Sequence, residues 1–303
     1  MSERYSSYLR PDTLAIFLFH GVIPRQKHAV RNYTWKHIES TRFINILDDL
    51  TNHGTPFSLP QVVEYARSSR PWPSRAFVLT FDDGFANNYS VAAPLLKSRR
   101  IPACFYVTTQ FVGANHCSWI DMIEYAVETQ KTRRKVALPA LGIDSAISDR
   151  DDKIEFLKVV RKAVKTNRAV DPYDVASTVW QQLNLEKMEP DEDLDKKMSW
   201  TEVQQLQDEP LFTVGGHGHT HRILSYLTPN ELKTEIDNSM RELARNLKKP
   251  VEHYSYPEGL DYCYSPSVIS ELQRHGIVCA PSAISGVNAL GEDLFHLKRI
   301  MVV

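Results

Sequence analysis

The sequence has few cysteines, almost no excess charge and no long apolar run. Only four of its 303 residues are cysteines, and no two of them have CxxC spacing, so no disulfide framework is indicated. The formal net charge is −1, which gives no overall attraction to nucleic acid or to an anionic membrane. The longest apolar run, residues 14–19, is far too short to cross a bilayer, so no transmembrane segment is expected.

The N-terminus also lacks the basic region, apolar core and small-residue cleavage site of a secretory signal. We therefore expect a cytoplasmic protein. The whole sequence has 42% hydrophobic and 24% charged residues, which is the composition of an ordinary globular protein. The length suffices for one large domain or two small ones.

Strand and helix patterns alternate along the first third of the chain. Short apolar runs at residues 13–22, 77–81 and 102–108 predict buried strands. Helical patterns lie between them, at residues 41–52 and from 85 to about 100. This alternation predicts parallel βα units, arranged as a barrel or an open doubly wound sheet.

Further helices and one insertion are predicted downstream. Capping boxes at Ser58, Ser199 and Thr228 mark helix starts, and residues 252–257 have a strand pattern. A charged, helix-rich stretch covers about residues 145–197. We interpret this stretch as a helical insertion, so that the whole chain is one catalytic domain.

Acidic side chains follow the predicted strand at residues 77–81, and histidines follow a further short predicted strand at residues 212–214. Asp82 and Asp83 come directly after one strand, at the end where α/β folds place their chemistry. His217 and His221 are four residues apart, so a helical turn would direct both imidazoles, but not that of His219, at one metal ion. With a carboxylate oxygen from Asp83 they form the ligand set of a catalytic zinc site. Asp82 could then accept a proton from water on the metal.

Either motif alone is weak, because Asp-Asp-Gly also begins helices and an isolated HxxxH is common. Together they resemble the first two motifs of the polysaccharide deacetylases, the carbohydrate esterase family 4 or NodB-homology enzymes. The matching stretches are residues 80–84 and 217–221. Looser similarities, in the same order, lie at residues 18–22, 101–107 and 254–259. The resemblance extends over nearly the whole chain.

The resemblance implies a distorted (β/α) barrel with fewer than eight regular units. It implies a divalent metal, often zinc, held by Asp83, His217 and His221. Asp82 would be the general base that activates water on the metal. The reaction would release acetate from an N-acetylated sugar and leave a free amine.

The third motif of the family corresponds here to the stretch around Tyr256, Pro257 and Glu258. The resemblance places these residues at the substrate, with a backbone N–H near Glu258 stabilising the oxyanion. Many members carry an arginine in this motif that orients the catalytic carboxylate, whereas this sequence has Ser255. Our hypothesis is that Arg299 replaces the missing arginine.

Many members also use a general-acid histidine from a late Leu-His motif, which has no clear match here. His20 and His296 are the candidates. We favour His20 because it follows a predicted strand directly.

Three functions are compatible with these observations. The leading hypothesis is a metal-dependent N-deacetylase acting on a lipid- or nucleotide-linked sugar intermediate of surface polysaccharide biosynthesis. A related amidase could instead cleave a non-sugar C–N bond. A catalytically silent barrel could bind glycan or scaffold a complex, although Asp82 beside the metal ligands argues against this. The sequence does not indicate an oligomeric state.

Overall fold

The computed structural model describes residues 4–27, 29–114 and 116–303. The chain forms two compact units, and each has apolar clusters of its own. The first unit consists of Met1–Arg25, Lys36–His116 and Lys196–Val303, and the second of Gln26–Trp35 and Cys117–Asp195.

The elements of the described residues are numbered here in chain order. The strands are β1 (Thr13–Phe19), β2 (Gly21–Ile23), β3 (His37–Glu39), β4 (Thr55–Pro56), β5 (Ala76–Phe81), β6 (Ala103–Val107), β7 (Arg134–Leu138), β8 (Ile143–Ile147), β9 (Phe212–Gly216), β10 (Asn288–Ala289) and β11 (Ile300–Met301). The helices are α1 (Ser40–His53), α2 (Leu59–Arg67), α3 (Ala93–Ser98), α4 (Trp119–Glu128), α5 (Arg150–Thr166), α6 (Pro172–Gln182), α7 (Trp200–Asp208), α8 (Pro229–Asn246) and α9 (Pro266–Arg274). Within the described ranges, none of these helices combines the length and apolar character needed to cross a membrane.

A mostly parallel sheet forms the first unit. β1 pairs in parallel with β5, β5 with β6, and β6 with β9. Beyond β9 the pairing continues through isolated bridges at Tyr254 and Cys279, and then through a hydrogen bond from Ser282 N–H to the Leu297 carbonyl (2.8 Å). β11 finally pairs in parallel with β1. This arrangement confirms the predicted distorted (β/α) barrel, in which several segments are not regular strands.

Both faces of the barrel strands are buried. In β1, Ala15, Phe17 and Phe19 join a cluster that includes side chains of α1 and α8. The alternate residues Leu14 and Ile16 join a second cluster, which includes side chains of α2. Burial on both faces explains why these strands are continuous apolar runs in the sequence.

Several local predictions are confirmed and others are wrong. The capping boxes at Ser58, Ser199 and Thr228 begin α2, α7 and α8. The helix predicted from residue 85 to about 100 is present as one helical segment over residues 86–98, in which Asn88–Ala92 is π-helical and the last part is α3. The strand predicted at residues 252–257 takes part only in isolated bridges.

The second unit contains α4, α5 and α6 and an antiparallel hairpin of β7 and β8. Gly142, which connects the two strands, has a positive φ of 65°. The hairpin was not predicted from the sequence. The helical insertion predicted at residues 145–197 lies mostly in this unit. The division into a single catalytic domain with an insertion stays a prediction.

One buried histidine gives the fold a pH dependence. His253 is 4% exposed, and its buried Nδ1 has no hydrogen-bond partner among the described residues. Burial, reinforced by the charge of Arg67, lowers the pKa of His253 from 6.5 to about 4. The unfolded chain therefore binds this proton at a higher pH than the folded chain, so stability is lost as the pH falls from about 6.5 to about 4.

We expect wild type to lose roughly 3 kcal/mol more free energy of unfolding than His253→Leu between pH 7 and pH 4. Urea unfolding at both pH values, with a chelator present, measures this difference. His53→Leu controls for the loss of a histidine, because the side chain of His53 is 55% exposed. Equal pH dependence of wild type and His253→Leu would contradict the prediction.

Candidate metal centre

The centre begins at the carboxyl end of β5. The strand is followed by Asp82, whose backbone N–H donates to the Phe19 carbonyl (3.0 Å), and then by two residues with positive φ. Asp83 has a φ of 76° and Gly84 a φ of 85°, in the left-handed region that non-glycine residues seldom adopt. The chain turns sharply here, and the two neighbouring carboxylates have different partners.

Asp82 is held by a buried arginine. Arg299 donates from Nη1 to Asp82 Oδ1 and from Nη2 to Asp82 Oδ2, both at 2.8 Å. The guanidinium also donates to Ser255 Oγ (2.8 Å), Thr80 Oγ1 (3.2 Å) and the Ser282 carbonyl (2.6 Å). Arg299 is 1% exposed, and these five hydrogen bonds use all five N–H donors of its guanidinium. The hypothesis that Arg299 reaches the carboxylate in place of a motif arginine therefore agrees with the geometry.

The pair fixes the protonation state of Asp82. Burial opposes ionisation of the carboxyl, but the charges of Arg299 and, less strongly, His217 outweigh it and lower the pKa of Asp82. Asp82 is therefore ionised at neutral pH, as a general base must be.

The histidine loop follows β9 and is held by α8. Glu235 of α8 accepts hydrogen bonds from the backbone N–H groups of His219 and Thr220, both at 2.7 Å, and from Thr220 Oγ1 (2.9 Å). Gly218 N–H donates to Tyr254 Oη (2.8 Å). The loop is irregular and does not form the helical turn for which the spacing of His217 and His221 would be suited.

The irregular loop still brings the two imidazoles together. Gly218 and His221 have positive φ values of 80° and 61°, and the rings of His217 and His221 lie 4.9 Å apart. His219 is directed elsewhere, since its Nδ1 lies 2.8 Å from Thr109 Oγ1. His217 and His221 therefore face each other while His219 does not, as their spacing predicted. The reason is the irregular loop and not a helical turn.

Three donor atoms converge beside Asp82. Asp83 Oδ1 lies 3.5 Å from His217 Nε2 and 3.2 Å from His221 Nε2, and all three atoms are within 4.8 Å of one another. His217 Nδ1 donates to the Ser255 carbonyl (2.9 Å), which leaves its Nε2 available to a metal ion. Asp83 Oδ1 is buried and makes no hydrogen bond of normal geometry among the described residues. Two imidazole nitrogens and a carboxylate oxygen with this placement fit a divalent metal ion.

The charges at the three atoms agree with a cation site. Burial opposes the charged forms of Asp83 and His217. Lys36 and the two histidines nevertheless lower the pKa of Asp83 well below its usual value, and the carboxylates raise that of His217. An ionised carboxylate beside two imidazoles is a suitable environment for a divalent cation.

A second group of possible ligands is an ion-pair cluster instead. Asp237, Glu271 and His275 also lie close together. Asp237 Oδ2 already pairs with Lys233 (2.5 Å) and Glu271 Oε2 with Arg274 (2.6 Å), so side-chain cations already neutralise these carboxylates.

The predicted substrate residues have different environments. Tyr256 is fully buried, its hydroxyl donates to the Phe295 carbonyl (3.0 Å) and its ring stacks on Tyr264, so only its backbone could face a substrate. Pro257 is buried beside Gly218. Glu258 is half-buried with a φ of 62°. The oxyanion role of its backbone stays a prediction.

The two candidate acids also differ. His20 is close enough to Asp82 and Asp83 to feel both charges, and its buried Nδ1 has no hydrogen-bond partner among the described residues. His296 is exposed and paired with Asp293 (2.9 Å). Burial, with help from Lys36, lowers the pKa of His20 to about 4, so its imidazole is neutral at pH 7. His20 would have to gain a proton during the reaction to act as an acid, and its role stays a prediction.

Two residues of the centre were missed by the sequence analysis. Lys36 Nζ lies 3.0 Å from Asp83 Oδ2, and no local pattern marks it. Glu235 could have been found, because it is a carboxylate on the apolar face of α8, beside Leu232 and Ile236.

The fold and the candidate centre together define a mostly parallel α/β barrel with a cluster of possible metal ligands at the carboxyl end of its strands. Residues 69–280 match the sequence profile of the polysaccharide deacetylases. Because this match covers more than two thirds of the chain, the chain belongs to the polysaccharide deacetylase family.

Individual relatives are similar over parts of the sequence. The poly-beta-1,6-N-acetyl-D-glucosamine N-deacetylase of Escherichia coli K12 is 38% identical over 66 residues, which are 22% of this chain and 9% of that protein. The protein of the same name from Staphylococcus aureus MSSA476 is 28% identical over 94 residues, 31% of each chain. The alignments thus span less than a third of these relatives.

Solved structures share the fold over nearly the full length. IcaB from Ammonifex degensii superposes with a TM-score of 0.61 at 16% identity, covering 98% of this chain and 94% of that one. The Streptococcus pyogenes deacetylase PplD, solved with acetate, has a TM-score of 0.61 at 14% identity, with coverages of 97% and 93%. At these identities the likeness concerns the fold alone.

We expect Arg299→Ala to lower the free energy of unfolding by about 3–5 kcal/mol, because it leaves the Asp82 carboxylate buried without its partner. Urea unfolding at pH 7 measures the loss, and bound metal should be retained. Arg274→Ala is the control, because Arg274 is 72% exposed and its ion pair is worth at most about 1 kcal/mol. Equal losses in the two variants would show that the buried pair has no special weight.

Proposed function

We propose that this chain is a metal-dependent hydrolase that removes N-acetyl groups from an amino sugar or glycan intermediate of surface polysaccharide. The observation that carries the proposal is the convergence of Asp83, His217 and His221 beside the ionised Asp82. The N-deacetylase names of the relatives support the choice of an N-acetylated sugar.

Asp83, His217 and His221 would hold the ion. We propose zinc, because two imidazoles and one carboxylate leave a coordination position open, as in catalytic zinc sites. The ion would supply a Lewis acid that polarises the acetyl carbonyl.

Asp82 would take a proton from the attacking water. Its ionised state and the two hydrogen bonds from Arg299 keep the carboxylate available and oriented. The backbone N–H near Glu258 would donate to the oxygen that becomes negative as water adds to the carbonyl. The C–N bond then breaks, and the amine receives the proton from Asp82 directly or through His20.

The position of Asp82 favours an enzyme over a silent glycan-binding barrel. A carboxylate kept ionised at the ligand atoms, with Asp82 Oδ2 only 3.8 Å from His217 Nε2, has no use in a binding module. The amidase alternative shares the metal centre and differs in the substrate that it accepts. The cytoplasmic location stays a prediction.

Metal content and acetate release, measured on the same preparations, test this proposal. We expect wild type to hold about one zinc per chain and to release acetate from oligomers of N-acetylglucosamine. Asp82→Ala should keep the metal and lose turnover by roughly a hundredfold or more, because a general base contributes about 10²–10⁴ in rate. His217→Ala and His221→Ala should lose the metal as well.

His219→Ala is the matched control, since His219 belongs to the same loop and its ring is directed at Thr109. It should keep both metal and activity. Wild type that binds zinc but releases acetate from no sugar would favour the amidase or the silent barrel. Wild type that binds no zinc would overturn the metal centre itself.

A further inference from the structure

The two oxygens of the Asp83 carboxylate have separate partners. Oδ1 faces His217 Nε2 and His221 Nε2, whereas Oδ2 pairs with Lys36 Nζ at 3.0 Å. We propose that Lys36 is a positioning residue, which makes Asp83 a one-oxygen metal ligand by keeping its second oxygen away from the ion. The inference rests on the proposed metal centre and adds a residue that acts on it through Asp83.

Lys36 is anchored at both ends. Its backbone carbonyl accepts a hydrogen bond from Gly21 N–H (3.3 Å), just before β3 pairs with β2. A Cβ at Gly21 would lie 1.9 Å from His37 Nδ1, so the two strands approach as closely as they do only because residue 21 is glycine. The ammonium lies 4.7 Å over the ring of the buried Phe85, and the side chain is 15% exposed. A lysine held in this way is not a loose surface cation.

The backbone of Asp83 gives the lysine its importance. The φ of 76° at Asp83 sets the direction in which its Cα–Cβ bond leaves the chain, and contacts of the side chain have to fix the carboxylate beyond that bond. Rotation of the carboxylate about its last bond remains, and it could bring both oxygens onto one ion. The ion pair with Lys36 opposes that rotation and thereby keeps a coordination position open for water or substrate.

The positive charge of Lys36 has a second effect. It lies next to a ligand of a divalent cation, and like charges repel, so Lys36 should weaken metal binding while it orients the ligand. Repulsion alone would not alter the coordination number of a bound ion, so the spectrum of a bound metal distinguishes positioning from a charge effect.

Lys36→Met tests the inference, because methionine keeps most of the length and loses the charge. We expect the zinc Kd, from competition with a chromophoric chelator, to tighten by about tenfold or more. In the cobalt-substituted protein, the visible absorption should weaken as the coordination number rises. Acetate release should show a kcat about tenfold lower with KM nearly unchanged, as expected when geometry at the reacting atoms is disturbed.

Lys36→Arg should restore the zinc Kd, the cobalt spectrum and kcat toward wild type, because it returns a cation to Oδ2. Lys97→Met, at a surface lysine paired with Glu209, controls for the substitution itself. Circular dichroism of the metal-free proteins confirms that each variant is folded. A Lys36→Met protein with wild-type zinc Kd and cobalt spectrum would overturn the inference. Failure of the metal centre is distinguishable, since wild type would then bind no zinc.

Discussion

The arrangement of this protein depends on the neutralisation of two adjacent carboxylates that are buried at one strand end. An unpaired carboxylate costs several kcal/mol in such surroundings, and two of them repel each other. Two cations from distant parts of the sequence neutralise these carboxylates: Arg299 pairs with Asp82, and Lys36 pairs with Asp83. The segments that carry these cations are thereby held against β5.

The left-handed turn at Asp83 directs the two neighbouring carboxylates at different partners. Asp82 directly follows β5, and its carboxylate accepts two hydrogen bonds from the Arg299 guanidinium. These bonds keep the carboxylate ionised and fix its orientation. Asp83 is directed at His217 and His221. Glu235 of α8 holds the loop of these histidines by accepting hydrogen bonds from its backbone. The proposed base and the proposed metal ligand are thus sequence neighbours that pair with different side-chain cations, Arg299 and Lys36.

Local signals predicted those parts of the structure that local physics decides. The strand before Asp82 and the capping box at Thr228 need only a few neighbouring residues to be recognised. The contact of Lys36 with Asp83 spans 47 positions and left no pattern in either neighbourhood. The hairpin of β7 and β8 was missed because β7 (Arg134–Leu138) begins with exposed basic residues. Such residues are equally typical of a solvent-exposed loop. The proximity of His217 and His221 was predicted from their spacing. It results from positive φ values in an irregular loop, which the spacing does not reveal.

The barrel closes late when the chain is made. Arg299 follows Asp82 by 217 positions, so at typical translation rates of about 5–20 residues per second the guanidinium emerges about 11–43 seconds after the carboxylate. β5 and β6 can pair on the ribosome, while Asp82 remains charged and has to stay in water. The nascent barrel must therefore stay open at this end until β11 is released.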